Sequence, residues 1–265
     1  MRCPLCNVSC SVLGLSAIAA TAVFLLAAAP QQEKKEWGVH DKDRPQPAMV
    51  TPPGHGTAPS DAIVLFDGKS LDKWTGNNNT ASWEVKSDDH GGYFQVKPGS
   101  GNIRTRDGFG SCQFHIEWMV PETCKCNGQQ GCNSGLFFMD RYELQILGSN
   151  PNKTYVDGMA GAMYGQYPPL ANPCRPQGQW NTYDAVFRAP RFKPDGSLES
   201  PARLTVLFNG VLVQDDIELL GATAHKNRAS YSSHGPGPIR LQDHGDPIRF
   251  RNIWVRPLDP RKPAE

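Results

Sequence analysis

"ARLTVLFNGVLVQDDIEL" (Ala202–Leu219) consists of two apolar, partly β-branched runs joined by Asn209-Gly210. Asn and Gly accept the positive φ that both central residues of a tight two-residue turn require, so the stretch predicts an antiparallel hairpin. The same signals recur on either side of it. "QFHIEWMV" (Gln113–Val120) alternates, with Phe114, Ile116 and Trp118 on one face and His115 and Glu117 on the other, which is the period of a strand in a sheet. "SWEVKSDDHGGYFQVK" (Ser82–Lys97) reads as another hairpin, closed by Asp88–Gly92, and "NTYDAVFRAPRF" and "IRFRNIWV" add two more strands. "NSGLFFMDRYELQILGS" (Asn133–Ser149) is apolar over much of its length, as a central strand is. Gly 26 and Pro 23 among 265 residues supply many turns, and only the leader carries an apolar run of helix length. No internal repeat points to a propeller. The fold class is therefore all-β, a sandwich or jelly roll of antiparallel strands.

The ends do not belong to that body. Arg2 precedes "VLGLSAIAATAVFLLAAA" (residues 12–29) and then the polar "PQQEKKE", the pattern of a signal peptide. The apolar run is near the lower limit for crossing a bilayer, so residues 1–29 are either a signal peptide or an N-terminal anchor that tethers the chain to a membrane. Either way the protein is expected to be exported, to the periplasm or the cell exterior. Residues 30–60 are rich in Pro, Gly and charge and poor in large apolar groups, which makes a flexible linker. The folded body is placed at residues 61–258, followed by a tail at 259–265. A formal net charge of +1 gives no basic footprint for nucleic acid.

"CPLC" (Cys3–Cys6) lies within the leader with no second pair at metal-site spacing, so chance explains it best. Cys10 also lies in the leader, and five more cysteines follow in the body: Cys112, Cys124, Cys126, Cys132 and Cys174. In an exported protein disulfides are expected among them, with at least one thiol left over, and "TCKCNGQQGC" looks like a stapled loop rather than a metal cluster.

Three stretches carry polar residues that strand structure does not call for. In the first, Arg141, Glu143 and Gln145 share a face, able to line a polar groove or simply to meet solvent. In the second, Asp243-His244-Gly245-Asp246-Pro247 is good turn chemistry, yet a turn requires neither Gln242 nor His244. His244 can exchange a proton near neutral pH, and Asp243 beside it can orient it. In the third, "GAMYGQYPPLANP" (Gly161–Pro173) holds Tyr164 and Tyr167 on a loop suited to stacking on sugar rings or to capping the core. No phosphate loop, nucleophile elbow or HExxH helix is present.

"LFDGKSLDKW", "NSGLFF…YELQIL", "GAMYGQYPP", "WNTYDAVFRAPRF", "VLFNGVLVQDDIEL" and "LQDHGDPIRFRNIWVRPL" occur in this order, and together they resemble the 3-keto-disaccharide hydrolase domain over about Ile63–Leu258. The resemblance implies a concanavalin-like β-sandwich and a carbohydrate substrate whose C3 hydroxyl an upstream sugar oxidoreductase has turned into a ketone. It makes Glu143 and His244 the base and acid, in either order, with Asp243 orienting His244 or binding substrate. Asn133, Arg141, Gln145, Tyr164, Gln242 and Arg251 would hold hydroxyls or the ketone. No cofactor is expected; a divalent ion on Glu143, Asp243 and His244 is the alternative. The pattern departs from the family at Gly148, where members often carry an acid, and in the insertion before Asn133. A non-catalytic carbohydrate-binding module on the same sandwich is the rival reading. A conventional β-glucanase would show E-L-D-I-x-E, of which only Glu143 survives.

Overall fold

The computed structural model describes residues 37–54 and 56–258; the leader's apolar run and the tail after Leu258 lie outside the described residues. Contacts divide the chain into two units. In the first, residues 37–45 form turns closed by Asp41 N–H to the Gly38 carbonyl and Arg44 N–H to the Asp41 carbonyl. The second begins at Gln46 and contains every strand.

The strands are β1 (Ile63–Phe66), β2 (Trp74–Thr75), β3 (Glu84–Asp88), β4 (Gly91–Gln95) and β5 (Ile103–Thr105). Next come β6 (Cys112–Met119), β7 (Asn133–Phe138), β8 (Tyr142–Leu147), β9 (Asn181–Arg188) and β10 (Arg191–Phe192). The last are β11 (Leu198–Ser200), β12 (Arg203–Phe208), β13 (Val211–Glu218), β14 (Arg240–Leu241) and β15 (Arg249–Pro257). One sheet runs β13-β12-β9-β6-β15-β4-β3, with β1 also paired to β15; the other runs β2-β5-β14-β7-β8, and β10 pairs with β11. Every strand pairing is antiparallel, and no helix longer than two short 3-10 turns occurs among the described residues. The expected β-sandwich is observed. Among the described residues no helix is long and apolar enough to cross a membrane.

The two sheets meet through aromatic side chains. Phe138 of β7 packs edge-on to Phe114 of β6 at 5.6 Å and stacks on Phe187 of β9 at 4.8 Å. Leu136, Leu144, Ile146 and Leu241 point into the same core from the smaller sheet. The alternation of β6 behaves as read, with Phe114, Ile116 and Trp118 fully buried. His115 and Glu117 lie on the outer face of the larger sheet. At the tip of β12–β13, Asn209 and Gly210 take φ of 50° and 79°, as the hairpin requires.

Two of the expected strands are broken, and one of them is Asn181–Phe192, which divides after Arg188 into β9 and β10 in different sheets. The other, Asn133–Ser149, is not one central strand but two, β7 and β8, folded back on each other. The turn sits at Met139-Asp140, with φ of 53° and 60° and a hydrogen bond from Arg141 N–H to the Phe138 carbonyl. Met139 and Asp140 are poor predictors of this geometry, which Asn-Gly would have announced. Tertiary packing supplies the missing preference. Gly237 lies so close behind the turn that a Cβ there would sit 2.8 Å from the Met139 carbonyl oxygen.

Candidate active site

The outward face of β7, β8 and β14 floors a cleft of about 570 Å³, within the range of small-molecule sites. Asn133, Glu143, Gln145, Tyr164, Gln242 and His244 all line it, so a mid-chain strand and a late turn do meet around one space. β8 would be an exposed edge, but the loop after it covers that edge. The Gln145 N–H donates to the Ala162 carbonyl at 2.9 Å, and the Tyr164 N–H donates to the Glu143 carbonyl at 3.0 Å. That last bond puts the phenol over the cleft. Thr223 Oγ1 accepts from the Glu143 N–H at 2.9 Å, which brings Thr223 and His225 in as a third wall. Tyr183 of the larger sheet donates to the Gln145 carbonyl at 2.7 Å from behind.

Glu143 is 6% exposed, and no side-chain donor among the described residues pairs its carboxylate. The carboxyl lies over Gly135, where a Cβ would stand only 2.5 Å from Glu143 Oε1. Burial pushes its pKa up to about 8, opposed by the nearby Arg240 cation. Arg240 is itself fixed, its Nε donating to Asp140 and its guanidinium 3.4 Å from the centre of the Phe137 ring. Opposite, Tyr155 and Tyr164 share a hydroxyl hydrogen bond of 2.6 Å, and Tyr164 Oη lies 3.1 Å from His225 Nδ1 with the two rings stacked. Among the described residues Glu143 is the one carboxyl lining the cleft, beside groups that can all donate: Arg240, His225, His244 and the tyrosines.

Three expected residues are elsewhere. Asp243 neither orients His244 nor enters the cleft. Its Oδ2 accepts from the Gly101 N–H at 2.9 Å and its Oδ1 from the Gly245 N–H at 3.0 Å, so it holds two turns together. His244 therefore stands exposed at the rim. Arg141 falls in the β7–β8 turn, one residue before the strand; it is exposed and does not line the cleft. Arg251 belongs to the other sheet. Its Nε donates to Glu117 at 2.6 Å and its guanidinium covers Trp180 at 4.1 Å. Nor do Glu143, Asp243 and His244 form an ion site: among the described residues no three His, Cys, Asp or Glu side chains are placed to share a metal.

Gln129, Phe137, Tyr155, Thr223, His225 and Arg240 line the cleft without having been singled out. Arg240 was within reach of the reading, since it precedes Gln242 and His244 by two and four residues in an alternating run. Gln129, Tyr155 and His225 sit on loops, where no periodicity marks them.

The insertion and Gly148 prove to be one feature. Cys126 and Cys132 form a disulfide, the staple expected of this loop, whereas Cys112, Cys124 and Cys174 are free thiols. A Cβ at position 148 would lie 2.6 Å from Cys126 Sγ and 2.9 Å from Cys132 Cβ. Any side chain there, an acid included, would collide with the bridge.

The chain is thus a two-sheet antiparallel sandwich with a buried carboxyl in a donor-rich cleft on its smaller sheet. More particularly, the chain belongs to the 3-keto-alpha-glucoside-1,2-lyase-like domain family, whose sequence profile matches residues 61–256. It is 42% identical to a candidate glycosyl hydrolase from Parabacteroides distasonis, with a TM-score of 0.77 over 84% of this chain and 100% of that one. A second candidate glycosyl hydrolase from the same organism shares the fold, with a TM-score of 0.53 at 17% identity over 75% of this chain and 94% of that one. No curated protein matches the chain.

Proposed function

We propose that the protein cleaves glycosides whose ring carries a ketone at C3, by elimination across C1–C2 followed by hydration. The lone desolvated carboxyl of Glu143 carries this reading. Ordinary glycoside hydrolysis uses two carboxyl groups, one on each side of the scissile bond, and the cleft is lined by only one. A C3 ketone acidifies the proton on C2, so a single base suffices. Glu143 takes that proton; the C1–O bond breaks, the electron pair leaves with the aglycone oxygen, and an unsaturated 3-keto sugar remains. Water then adds its hydroxyl to C1 and a proton to C2, which completes a net hydrolysis. The enolate oxygen needs a positive or donating partner, and the leaving oxygen needs a proton. Arg240 suits the first role, and His244 or the Tyr164–His225 pair the second. The relatives described as glycosyl hydrolases and the family's description support a carbohydrate substrate.

The upstream partner is then an oxidoreductase that converts a sugar C3 hydroxyl into the ketone. The leader makes the site of action outside the cytoplasm, with the apolar segment as a tether if it is retained.

The test incubates the purified protein with a 3-keto-disaccharide and with its unoxidised parent. Cleavage of the keto sugar alone is expected; cleavage of the parent alone overturns the elimination route, and binding of either without turnover favours a carbohydrate-binding module. Because Glu143 must be ionised to act and burial pushes its pKa up to about 8, the active form is the minor one at pH 7. The expected kcat/KM rises with pH and levels above about 8; a fall there would make Glu143 the acid instead.

A further inference from the structure

We infer that Gln129, on the disulfide-closed loop, fixes the amide of Gln145 so that the sugar group seated against it is a hydroxyl and never the ketone. This rests on the reading of the cleft as a saccharide site. The polarity follows from two backbone carbonyls, whose role as acceptors is fixed. Gln129 Nε2 donates to the Gly158 carbonyl at 2.6 Å and to Thr154 Oγ1 at 2.8 Å, so Gln129 Oε1 must face the other way. It faces Gln145, which can meet it only with Nε2, at 3.0 Å. Independently, Asn133 Nδ2 donates to the Gln129 carbonyl at 3.0 Å, so Asn133 Oδ1 is turned to Gln145 Nε2 at 3.3 Å. Two oxygens thus claim the same NH₂ group. Turning the Gln145 amide over would set oxygen against oxygen twice.

What remains is Gln145 Oε1, a buried oxygen with no donor among the described residues. Such an atom costs stability until something donates to it. Gln145 borders the cleft with little of its surface, so the hydroxyl enters with small side-chain adjustments of the kind that accompany binding. A ketone offers only acceptors and is excluded from this place, which leaves it for the Arg240 side of the cleft. Gln129 is therefore a positioning residue: it acts on the sugar through Gln145. Its own place is held by the Cys126–Cys132 bridge and by Asn152, which exchanges two hydrogen bonds with the Gly128 backbone at 2.8 and 3.0 Å.

Calorimetric binding of an unoxidised glucosyl disaccharide and its monodeoxy analogues tests this without turnover. One deoxy analogue is expected to bind about tenfold more weakly than the parent, and the analogue oxidised at that same carbon equally weakly. In Gln145→Leu that difference is expected to vanish; in Gln129→Leu, where the amide is freed on one side, it is expected to shrink to about threefold or less. A Cys126→Ala/Cys132→Ala variant, which loosens the loop and leaves Gln129 in place, is expected to shrink it too, and serves if Gln129→Leu does not fold. The inference is overturned if no analogue loses affinity, if the penalty survives in both loop variants, or if no saccharide binds. Binding that follows this pattern without cleavage of any keto sugar would sustain it while removing the catalytic reading.

Discussion

Glu143 is a costly side chain to bury. Its carboxyl keeps a proton in the folded chain up to about pH 8, whereas the unfolded chain releases it near 4.5. The sign follows: this group's contribution to stability is fully present below 4.5 and is lost as pH rises towards 8. Glu143→Gln keeps the shape and removes that cost. It is expected to lower cleavage at least about a hundredfold while raising stability at pH 7 by roughly 2–3 kcal/mol, read from denaturant midpoints. A variant that lost both activity and stability would mean that the carboxylate pairs with Arg240 as a structural ion pair. Sites that trade stability for chemistry in this way are common. At this scale the sequence marked Glu143, Gln145 and His244 by their place in strand and turn. Asp243 it misjudged, because an Asp beside a Gly serves its own backbone as readily as a neighbouring imidazole.

Among the elements, the loop Cys126–Cys132 and the end of β8 depend on each other. Gly148→Ala places a methyl 2.6 Å from Cys126 Sγ and is expected to destabilise the oxidised protein by roughly 1–3 kcal/mol. In the Cys126→Ala/Cys132→Ala background the sulfur contact is gone while the Cβ of residue 132, 2.9 Å away, stays, so the same change is expected to cost less but not nothing, a coupling that a thermal-melt double-mutant cycle reads directly. Equal costs in both backgrounds would mean that the clash is relieved by the backbone and that Gly148 is unrelated to the bridge. β8 itself shows where pattern reading stops. Its residues alternate correctly, but all six are buried, because the Gly161–Tyr164 loop and Thr223 cover an edge that the sequence leaves open. The split of the Asn133–Ser149 run into β7 and β8 was hidden for a similar reason: its turn borrows no Asn-Gly.

Across the whole molecule the two outer faces have different chemistry. On the larger sheet His115 Nδ1 lies 2.6 Å from Asp184 Oδ1, and Glu117 accepts from Arg251 at 2.6 Å and from Asn252 at 2.9 Å. Burial works against the charged form of both groups, yet the partners prevail: the hydrogen bond to Asp184 and the Glu117 carboxylate 3.9 Å away raise the His115 pKa to about 9, and the nearby His115 with hydrogen bonds from Asn252 and Arg251 lowers Glu117 to about 2. The Glu117 contribution to stability is lost as pH falls from 4.5 towards 2; that of His115 is lost as pH rises from 6.5 towards 9. Together with the loss at Glu143, these place the expected maximum of melting temperature near pH 4.5, with a decline above it that steepens beyond about 6.5. A maximum at alkaline pH, in scans across the full range, would show that the network on the larger sheet is not ionised as described.

The chain's own letters determined the class of fold and which strand faces are apolar. Alternation and turn residues are local properties, and burying one face of each strand leaves few architectures besides two stacked antiparallel sheets. They also marked part of the site, where polar residues interrupt a pattern that needed none. Only the tertiary structure decided that Arg251 stands on the far sheet, that Asp243 serves two turns, and that Gln129, Tyr155, His225 and Arg240 complete the cleft. Those residues come from separate loops and strands, and nothing in the spacing of one segment fixes its distance from another until the core has packed.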